Sequence, residues 1–210
     1  MDQTARSVNP DFTYWNGVDR NSFLSHDWGN PSREWAASAA IRATLVNTGR
    51  LTRPVLVEIG PGGGFDYRQY FRKFVEMGSM VYLGVEGSQS LCDGLRSEFP
   101  ESPWFNQTLL ENPYQGDVVY ARHVLEHQPA LIPAMNALLA VAPIAFITWY
   151  RPPAERAHTD MNGAIHCHTY NREEVLDVLA NNRRRVAAST IVPSGRNNGN
   201  NFDEIWMVSE

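Results

Sequence analysis

Residues 55–66, which read VLVEIGPGGGFD, are the most informative stretch of the sequence. A β-rich apolar run comes first and an amphipathic, helix-like stretch follows. Between them, glycine recurs at alternate positions: Gly60, Gly62 and Gly64. Glycine permits a positive φ and lets the backbone approach a ligand without an intervening Cβ, and the first N–H groups of a helix can meet a polar or anionic ligand. The segment therefore predicts a strand, a ligand-binding loop and a helix.

Two common phosphate-binding patterns do not fit this loop. A dinucleotide fingerprint requires G-x-G-x-x-G, but the last position is Phe65 when counted from Gly60 and Tyr67 when counted from Gly62. A Walker loop requires Gly-Lys-Ser/Thr, and the only lysine of the chain is Lys73. The glycines consequently predict a different kind of ligand site.

The rest of the chain alternates between short apolar runs and helix-like segments. Strands are predicted near residues 55–59, 81–85, 103–108, 117–121, 144–149, 186–192 and 204–208. Helices are predicted over residues 65–77, 88–99, 131–141 and 171–179. This alternation predicts an α/β fold with a mostly parallel sheet, and the last two strands are expected to form an antiparallel hairpin at one edge.

The N-terminal region has a different pattern. Residues 1–30 show no sustained period and are interpreted as an irregular arm or lid. A helix is predicted to begin at Asn30-Pro31 and to end at Gly49. Its expected apolar face consists of Trp35, Ala39, Ile41, Leu45 and Val46. We expect two parts of the chain, an arm and helix over residues 1–53 and a ligand-binding domain over residues 54–210.

Composition and charge limit the classes of protein to which this chain can belong. The chain has 210 residues, 43% of them hydrophobic, and a net charge of −5, which fits one folded domain and disfavours nucleic acid as a partner. Its two cysteines, Cys92 and Cys167, do not make a disulfide framework. The N-terminus has no apolar signal region, and the apolar stretch 131–150 contains two prolines. A cytoplasmic protein that does not span a membrane is expected.

The pattern E-x-G-x-G-x-G, formed by Glu58 and the three glycines, resembles the first motif of the class I S-adenosylmethionine (SAM)-dependent methyltransferases. In that family the loop wraps the methionine part of SAM, and an acidic residue at the end of the next strand binds both ribose hydroxyls. Glu86, in YLGVEGS, has that place. A carboxylate at the end of a strand can accept two hydroxyl hydrogen bonds.

Two later segments strengthen the resemblance. Residues 117–127, DVVYARHVLEH, are similar to the D-x-V-x-x-x-x-V-L-E-H signature of the small-molecule methyltransferases of types 11 and 23. Residues 166–180, HCHTYNREEVLDVLA, resemble the segment after the fifth strand of the family. One departure is that Gln107 and Thr108 replace the acidic residue usually found near adenine. The resemblance covers about residues 54–209.

The resemblance implies a Rossmann-like, seven-stranded, mostly parallel sheet with helices on both faces and an N-terminal helical lid. It implies SAM as cofactor and S-adenosylhomocysteine (SAH) as product. The cofactor-binding residues that it implies are Glu58, Gly60, Pro61, Gly62, Gly64, Glu86, Gly87, Gln107, Thr108, Leu109, Arg122 and His123.

The expected reaction is methyl transfer to an oxygen or nitrogen atom of a small molecule. Such a displacement needs alignment and exclusion of water, and it needs a base only when the nucleophile is protonated. Candidate bases are His127, His158 and His166. Candidate substrate walls are Tyr14, Trp15, Trp149, Tyr150 and Arg151.

Three questions stay open at the level of sequence. One alternative is a metal-dependent RNA 2′-O-methyltransferase, in which the ligands would come from His123, Glu126, His127, His166 and His168. A second alternative is a SAM-binding protein without catalysis. The oligomeric state is also open, with a homodimer as one option.

Overall fold

The computed structural model describes residues 13–18, 20, 30–46, 53–162, 165–194 and 202–210. Its centre is a sheet of seven strands, β1 (Val55–Ile59), β2 (Val81–Glu86), β3 (Trp104–Asn106), β4 (Val118–Arg122), β5 (Ile144–Trp149), β8 (Arg185–Pro193) and β9 (Phe202–Ser209). Their order across the sheet is β3-β2-β1-β4-β5-β9-β8. The five strands from β3 to β5 in this order are parallel, and β9 is antiparallel to both β5 and β8. The predicted parallel sheet with an antiparallel edge hairpin is confirmed.

The order of the strands reverses between β1 and β4. The chain moves from β1 to β2 and β3 on one side and then returns to place β4 on the other side of β1. In open α/β sheets, ligands bind beyond the carboxyl ends of the strands at such a reversal. The glycine loop directly follows β1, so this reversal places it where a ligand is expected.

Helices cover both faces of the sheet, as predicted. They are α1 (Thr13–Asn16), α2 (Pro31–Val46), α3 (Arg72–Glu76), α4 (Gln89–Glu98), α5 (Leu131–Val141) and α6 (Arg172–Asn181), and a π-helical turn (Tyr67–Phe71) precedes α3. Helices α5 and α6 pack on one face, where they share a core with β1, β4 and β5. Helices α2 and α4 and the π-helical turn pack on the other face. None of the helices among the described residues is long and apolar enough to cross a bilayer.

The buried face of α2 agrees with the predicted one only in part, since Ile41 is buried and Ala39 and Leu45 pack against the core. Ala36, Ala37 and Ala40 are completely buried, whereas Trp35 is 42% exposed and Val46 is 78% exposed. The small alanine side chains let α2 lie close to the strands, and larger residues on that face would hold it away from them. The prediction chose the bulky residues because hydrophobicity alone does not reveal how closely a helix approaches a sheet. As a result, α2 is part of the main core.

A two-stranded sheet was missed in the sequence. Strands β6 (His158–Asn162) and β7 (Ile165–Thr169) pair antiparallel, with His158 opposite Thr169, in a region where no strand was predicted. The segments HTDMN and IHCHT lack the alternation of apolar and polar residues that identifies a half-buried strand. They follow β5 and precede α6, so they extend the chain at the carboxyl end of the sheet.

Candidate active site

The glycine loop has a backbone that other residues do not readily adopt. The φ angles of Gly60, Gly62 and Gly64 are +67°, +56° and +78°. The N–H of Gly60 donates to the carbonyl of Val85 over 2.9 Å, which ties the loop to the end of β2. A Cβ built on Gly60 would lie 2.7 Å from Cγ2 of Val124. Glycine is therefore required both by conformation and by close packing.

Glu86, the last residue of β2, joins the loop to helix α4. Its Oε2 accepts from the N–H of Gly62 and its Oε1 from the N–H of Ser88, each over 2.9 Å. The side chain is buried, and burial raises the pKa of the Glu86 carboxyl to about 7, although hydrogen bonds from the N–H groups of Ser88, Gly62 and Gly87 act in the opposite direction. The carboxylate thus lies at the sheet reversal, in contact with both ligand-binding segments.

The segment after β3 lies beside Glu86. The side-chain amide of Asn106 donates to the carbonyls of Glu86 and Gly87 over 3.0 and 3.1 Å, and the N–H of Gln107 also donates to the carbonyl of Glu86. The Oε1 atom of Gln107 is buried without a hydrogen-bond partner. Thr108 caps the short turn Leu109–Glu111, and Leu109 is buried. This segment presents an acceptor atom and an apolar side chain at the place predicted for adenine.

Glu58 lies in a buried polar cluster on β1, before the loop. The hydroxyl of Tyr82 donates to its Oε2 over 2.6 Å. Burial raises the pKa of the Glu58 carboxyl to about 8, and the neighbouring carboxylate of Asp66 adds to the increase. Asp66 accepts from the hydroxyl of Tyr120 and lies 3.3 Å from Nε of Arg33 on α2. Glu58 is only 3% exposed, and Pro61 in the loop is buried as well.

Asp203 meets Arg122 and His123 at the end of β4. The Nε2 atom of His123 lies 3.0 Å from Oδ2 of Asp203, and Arg122 lies 3.6 Å from the same oxygen. The hydroxyl of Ser32 on α2 also donates to that oxygen. Neither Asp203 nor Ser32 was predicted as a site residue. A signal for Asp203 is present, because the strand FDEIWMVS contains two adjacent acids within an apolar run.

Several predicted acceptor-side residues lie close together. The indole of Trp15 packs edge-on against the His127 ring, with centroids 5.4 Å apart. Nδ1 of His127 lies 3.1 Å from the carbonyl of His166. The rings of Tyr150 and His123 have centroids 5.6 Å apart. Trp15 therefore contacts the segment after β4, and the residues that follow β4 and β5 contact each other.

Other predicted acceptor-side residues lie elsewhere. His158 is 52% exposed and pairs with Asp160 on its own strand, and Arg151 contacts the same carboxylate over 3.0 Å. The His166 side chain is exposed and stacks on His168. Trp149 differs from its prediction as a substrate wall, because its indole is completely buried against Trp206 and Tyr170 and presents no surface to an acceptor. The side chain of Tyr14 lies outside the described residues.

Two residues of the N-terminal region, Asn16 and Arg20, contact the cofactor side of the site. Asn16 Oδ1 accepts from the hydroxyl of Ser88 over 2.9 Å and from the N–H of Gln89 over 3.0 Å. The Nε atom of Arg20 donates to the carbonyl of Gly63 in the glycine loop. These contacts join Asn16 to the start of α4 and Arg20 to the glycine loop, and the role of the N-terminal region as a lid stays a prediction.

Glu126, in the VLEH segment, is completely buried next to this region. Its Oε1 accepts from the N–H of Tyr150 over 2.9 Å, and its Oε2 has no hydrogen-bond partner. Burial raises the pKa of the Glu126 carboxyl to about 7. In the described parts of the chain, no group of three or more His, Cys, Asp or Glu side chains is arranged to hold a metal ion.

A change of Glu126 to glutamine is expected to stabilise the protein above neutral pH. The folded protein holds the Glu126 proton up to about pH 7, whereas the ordinary pKa is 4.5, so this group lowers stability as the pH rises through that window. Glutamine still accepts from the N–H of Tyr150 and does not ionise. We expect a gain on the order of 2 kcal/mol at about pH 8 and little change at about pH 5, measured by urea unfolding. The exposed acid Glu155, changed to glutamine, is the control; a gain that is the same at both pH values would contradict the assignment.

No protein-family model matches the chain, and no curated protein matches it in sequence. Solved structures do match it in fold. A 1,6-didemethyltoxoflavin-N1-methyltransferase from Burkholderia thailandensis, with bound 1,6-didemethyltoxoflavin and SAH, is 14% identical with a TM-score of 0.65, over 98% of this chain and 93% of that one. A magnesium protoporphyrin IX methyltransferase from Synechocystis, with bound SAM, is 13% identical with a TM-score of 0.58, over 92% and 98%.

A third match is the O-methyltransferase from a trans-AT PKS multienzyme of Brevibacillus brevis, in complex with SAH. It is 10% identical with a TM-score of 0.63, over 81% of this chain and 71% of that one. All three share the fold described above, while their sequences differ widely from this one. The chain therefore has the fold of the class I SAM-dependent methyltransferases.

Proposed function

We propose that the protein is a SAM-dependent methyltransferase that transfers a methyl group to an oxygen or nitrogen atom of a small molecule. One observation carries this proposal: the buried carboxyl of Glu86 accepts from Gly62 N–H in the positive-φ glycine loop and from Ser88 N–H at the start of α4. A carboxylate between a close-approach loop and a helix start is suited to a ligand that has vicinal hydroxyls next to a polar, flexible part.

The residues present fit SAM in each of its parts. The backbone of the glycine loop could approach the methionine part closely, because its glycines have no Cβ. Glu86 would accept hydrogen bonds from both ribose hydroxyls. The buried, unpartnered Oε1 of Gln107 would accept from the amino group of adenine, and Leu109 would pack on the base. SAM supplies an electrophilic methyl group on a positively charged sulfur.

The acceptor would bind where Trp15, His127, Tyr150 and His123 meet. Aromatic side chains there favour a flat or partly apolar molecule. The net charge of −5 disfavours a polyanion such as RNA. The Burkholderia enzyme, which shares the fold, was solved with the small molecule 1,6-didemethyltoxoflavin. The buried, unpaired thiols of Cys92 and Cys167 support a reducing compartment, so we place the protein in the cytoplasm.

Transfer of a tritiated methyl group from SAM tests the acceptor class. The protein is incubated with labelled SAM and either the low-molecular-weight fraction or the total RNA of a bacterial extract, with and without EDTA. We expect label in the small-molecule fraction at a rate that EDTA does not change. Label in RNA that EDTA abolishes would contradict the proposal and favour the metal-dependent alternative.

A further inference from the structure

His123 is held in an unusual backbone conformation at the end of β4. Its φ is +55°, and its N–H donates to the carbonyl of Thr148 on β5 over 2.9 Å. A positive φ is unfavourable for a residue with a Cβ, and such residues persist where the surrounding structure fixes them, often at functional sites. The main chain thus directs the imidazole to one place.

The imidazole of His123 is held from one side by a buried carboxylate. Nε2 lies 3.0 Å from Oδ2 of Asp203, and Asp203 is completely buried on β9. Burial by itself raises the pKa of the Asp203 carboxyl, but the hydrogen bond and charge of His123, together with Arg122 and Ser32, outweigh burial and lower it below its ordinary value. Asp203 is therefore ionised at neutral pH and acts only as an acceptor, so Nε2 of His123 is the donor.

This hydrogen bond determines the tautomer of His123. When Nε2 has the hydrogen, the lone pair of the neutral ring is on Nδ1. A carboxylate behind the ring also stabilises the imidazolium that forms after proton uptake, as it does in other acid–base sites. The arrangement is suited to a group that accepts a proton during a reaction.

The position of His123 is next to the expected transfer site. Val124, the following residue, packs against Gly60 so closely that a Cβ on Gly60 would lie 2.7 Å from its Cγ2. Strand β4 pairs directly with β1, with Ala121 opposite Ile59. The Tyr150 ring lies 5.6 Å from the His123 ring, centroid to centroid, on the acceptor side. His123 consequently lies between the glycine loop and the aromatic residues that would hold the acceptor.

We propose that His123 is the general base of methyl transfer, that Asp203 is the residue that positions it, and that the acceptor is a weakly acidic O–H or N–H compound. This inference rests on the proposed function. Nδ1 of His123 takes the proton of the acceptor as the acceptor oxygen or nitrogen bonds to the methyl carbon. The bond from that carbon to sulfur breaks, and its electron pair stays on sulfur, which gives neutral SAH. The imidazolium of His123 then releases the proton to solvent.

The role of His123 as a base can be tested without an acceptor. The test is the ratio of the affinities for SAM and SAH, measured by calorimetry as a function of pH. SAM has a positive sulfur and SAH a neutral one, so a protonated His123 nearby would repel SAM alone. Between about pH 8 and pH 5, we expect SAM to lose roughly fivefold in affinity relative to SAH. Ionisation of Glu86 also favours SAM over SAH as the pH rises, because its carboxylate attracts the positive sulfur, so the comparison with a variant isolates the contribution of His123. His123→Gln is expected to make the pH dependence of the ratio clearly smaller and to leave the part that is due to Glu86.

Two further variants distinguish His123 from its neighbours. In the described parts of the chain, the titratable and charged groups near it include Asp203 on β9, Arg122 on β4, Tyr150 after β5, and Glu126, which interacts with Asp203 and Arg122. Asp203→Asn is expected to move the pH midpoint of the ratio downward, because the imidazolium loses its partner. Glu126→Gln is expected to leave the pH dependence in place.

The possible outcomes separate the two proposals. If neither SAM nor SAH binds, the proposed function fails. If both bind and the ratio is independent of pH, or if the pH dependence in His123→Gln is as large as in the unmodified protein, the base assignment is wrong. Loss of the dependence in His158→Gln or in Glu126→Gln would also overturn it.

Discussion

Replacing Glu86 with alanine is expected to weaken SAH binding by about a hundredfold or more. Two hydrogen bonds from ribose hydroxyls to an ionised carboxylate contribute about 1.5–3 kcal/mol each, and alanine removes both. The same change removes the contacts of Glu86 with the N–H groups of Gly62 and Ser88, so the loop and the start of α4 lose their shared partner. Calorimetric titration with SAH measures the effect.

Asp93 on helix α4 provides the matched control for this experiment. It is an exposed acid that bonds only to Gln89 and Arg96 among the contacts described for it. Asp93→Ala is expected to leave SAH affinity unchanged. Circular dichroism and a thermal melt establish that Glu86→Ala is folded. A folded Glu86→Ala protein that binds SAH with wild-type affinity would rule out Glu86 as the ribose-binding residue.

Replacing Gly60 with alanine is expected to reduce SAH affinity by at least tenfold. The φ of Gly60 is +67° and a Cβ there would lie 2.7 Å from Cγ2 of Val124, a short β-branched side chain that has little room to move. The loop or the end of β4 must shift to accept the methyl group, and both are predicted to contact the cofactor. Misplacement of such groups by a fraction of an ångström is costly.

Gly78→Ala is the control that separates the cost of a positive φ from the effect of Gly60→Ala on the binding site. Its φ is +69°, nearly the same as that of Gly60, but the nearest atom to an added Cβ is Nη1 of Arg53 at 3.9 Å. Both alanine variants are expected to lose about 1 kcal/mol of stability from the positive φ. Only Gly60→Ala should lose SAH affinity. Equal losses of affinity in the two variants would show that the loop is not the binding element.

Local patterns in the sequence were sufficient for most of the fold. The bounds of β1, β5 and α5 were predicted at the residues where the structure has them, because each is a buried apolar run bordered by Pro or Gly or by polar residues. The pair β6–β7 was missed because its residues are polar and its order depends on the pairing of the two strands. The face of α2 was wrong at Trp35 and Val46, which are exposed, because close packing favoured the alanines next to them.

The candidate site also has parts that the local sequence predicts and parts that it does not predict. The glycine loop and Glu86 are each identified by a few adjacent residues, since the chemistry of each is local. The contact between His123 and Asp203 joins residues 80 positions apart. It exists only because β9 inserts antiparallel between β5 and β8 and brings Asp203 to the carboxyl end of the sheet. Nothing in the local sequence of His123 indicates that partner.

A calorimetric titration of the unmodified protein with SAH, with and without EDTA, is the most direct test of whether the glycine loop and Glu86 form a SAM site. The account predicts binding of one SAH per chain with micromolar affinity, unchanged by EDTA, because the groups proposed to hold SAH, which are the backbone of the glycine loop, the Glu86 carboxyl, the Gln107 amide and the Leu109 side chain, need no metal ion. Absence of binding under both conditions would contradict the proposal that SAM is the cofactor. In that case the glycine loop and Glu86 would not form a SAM site.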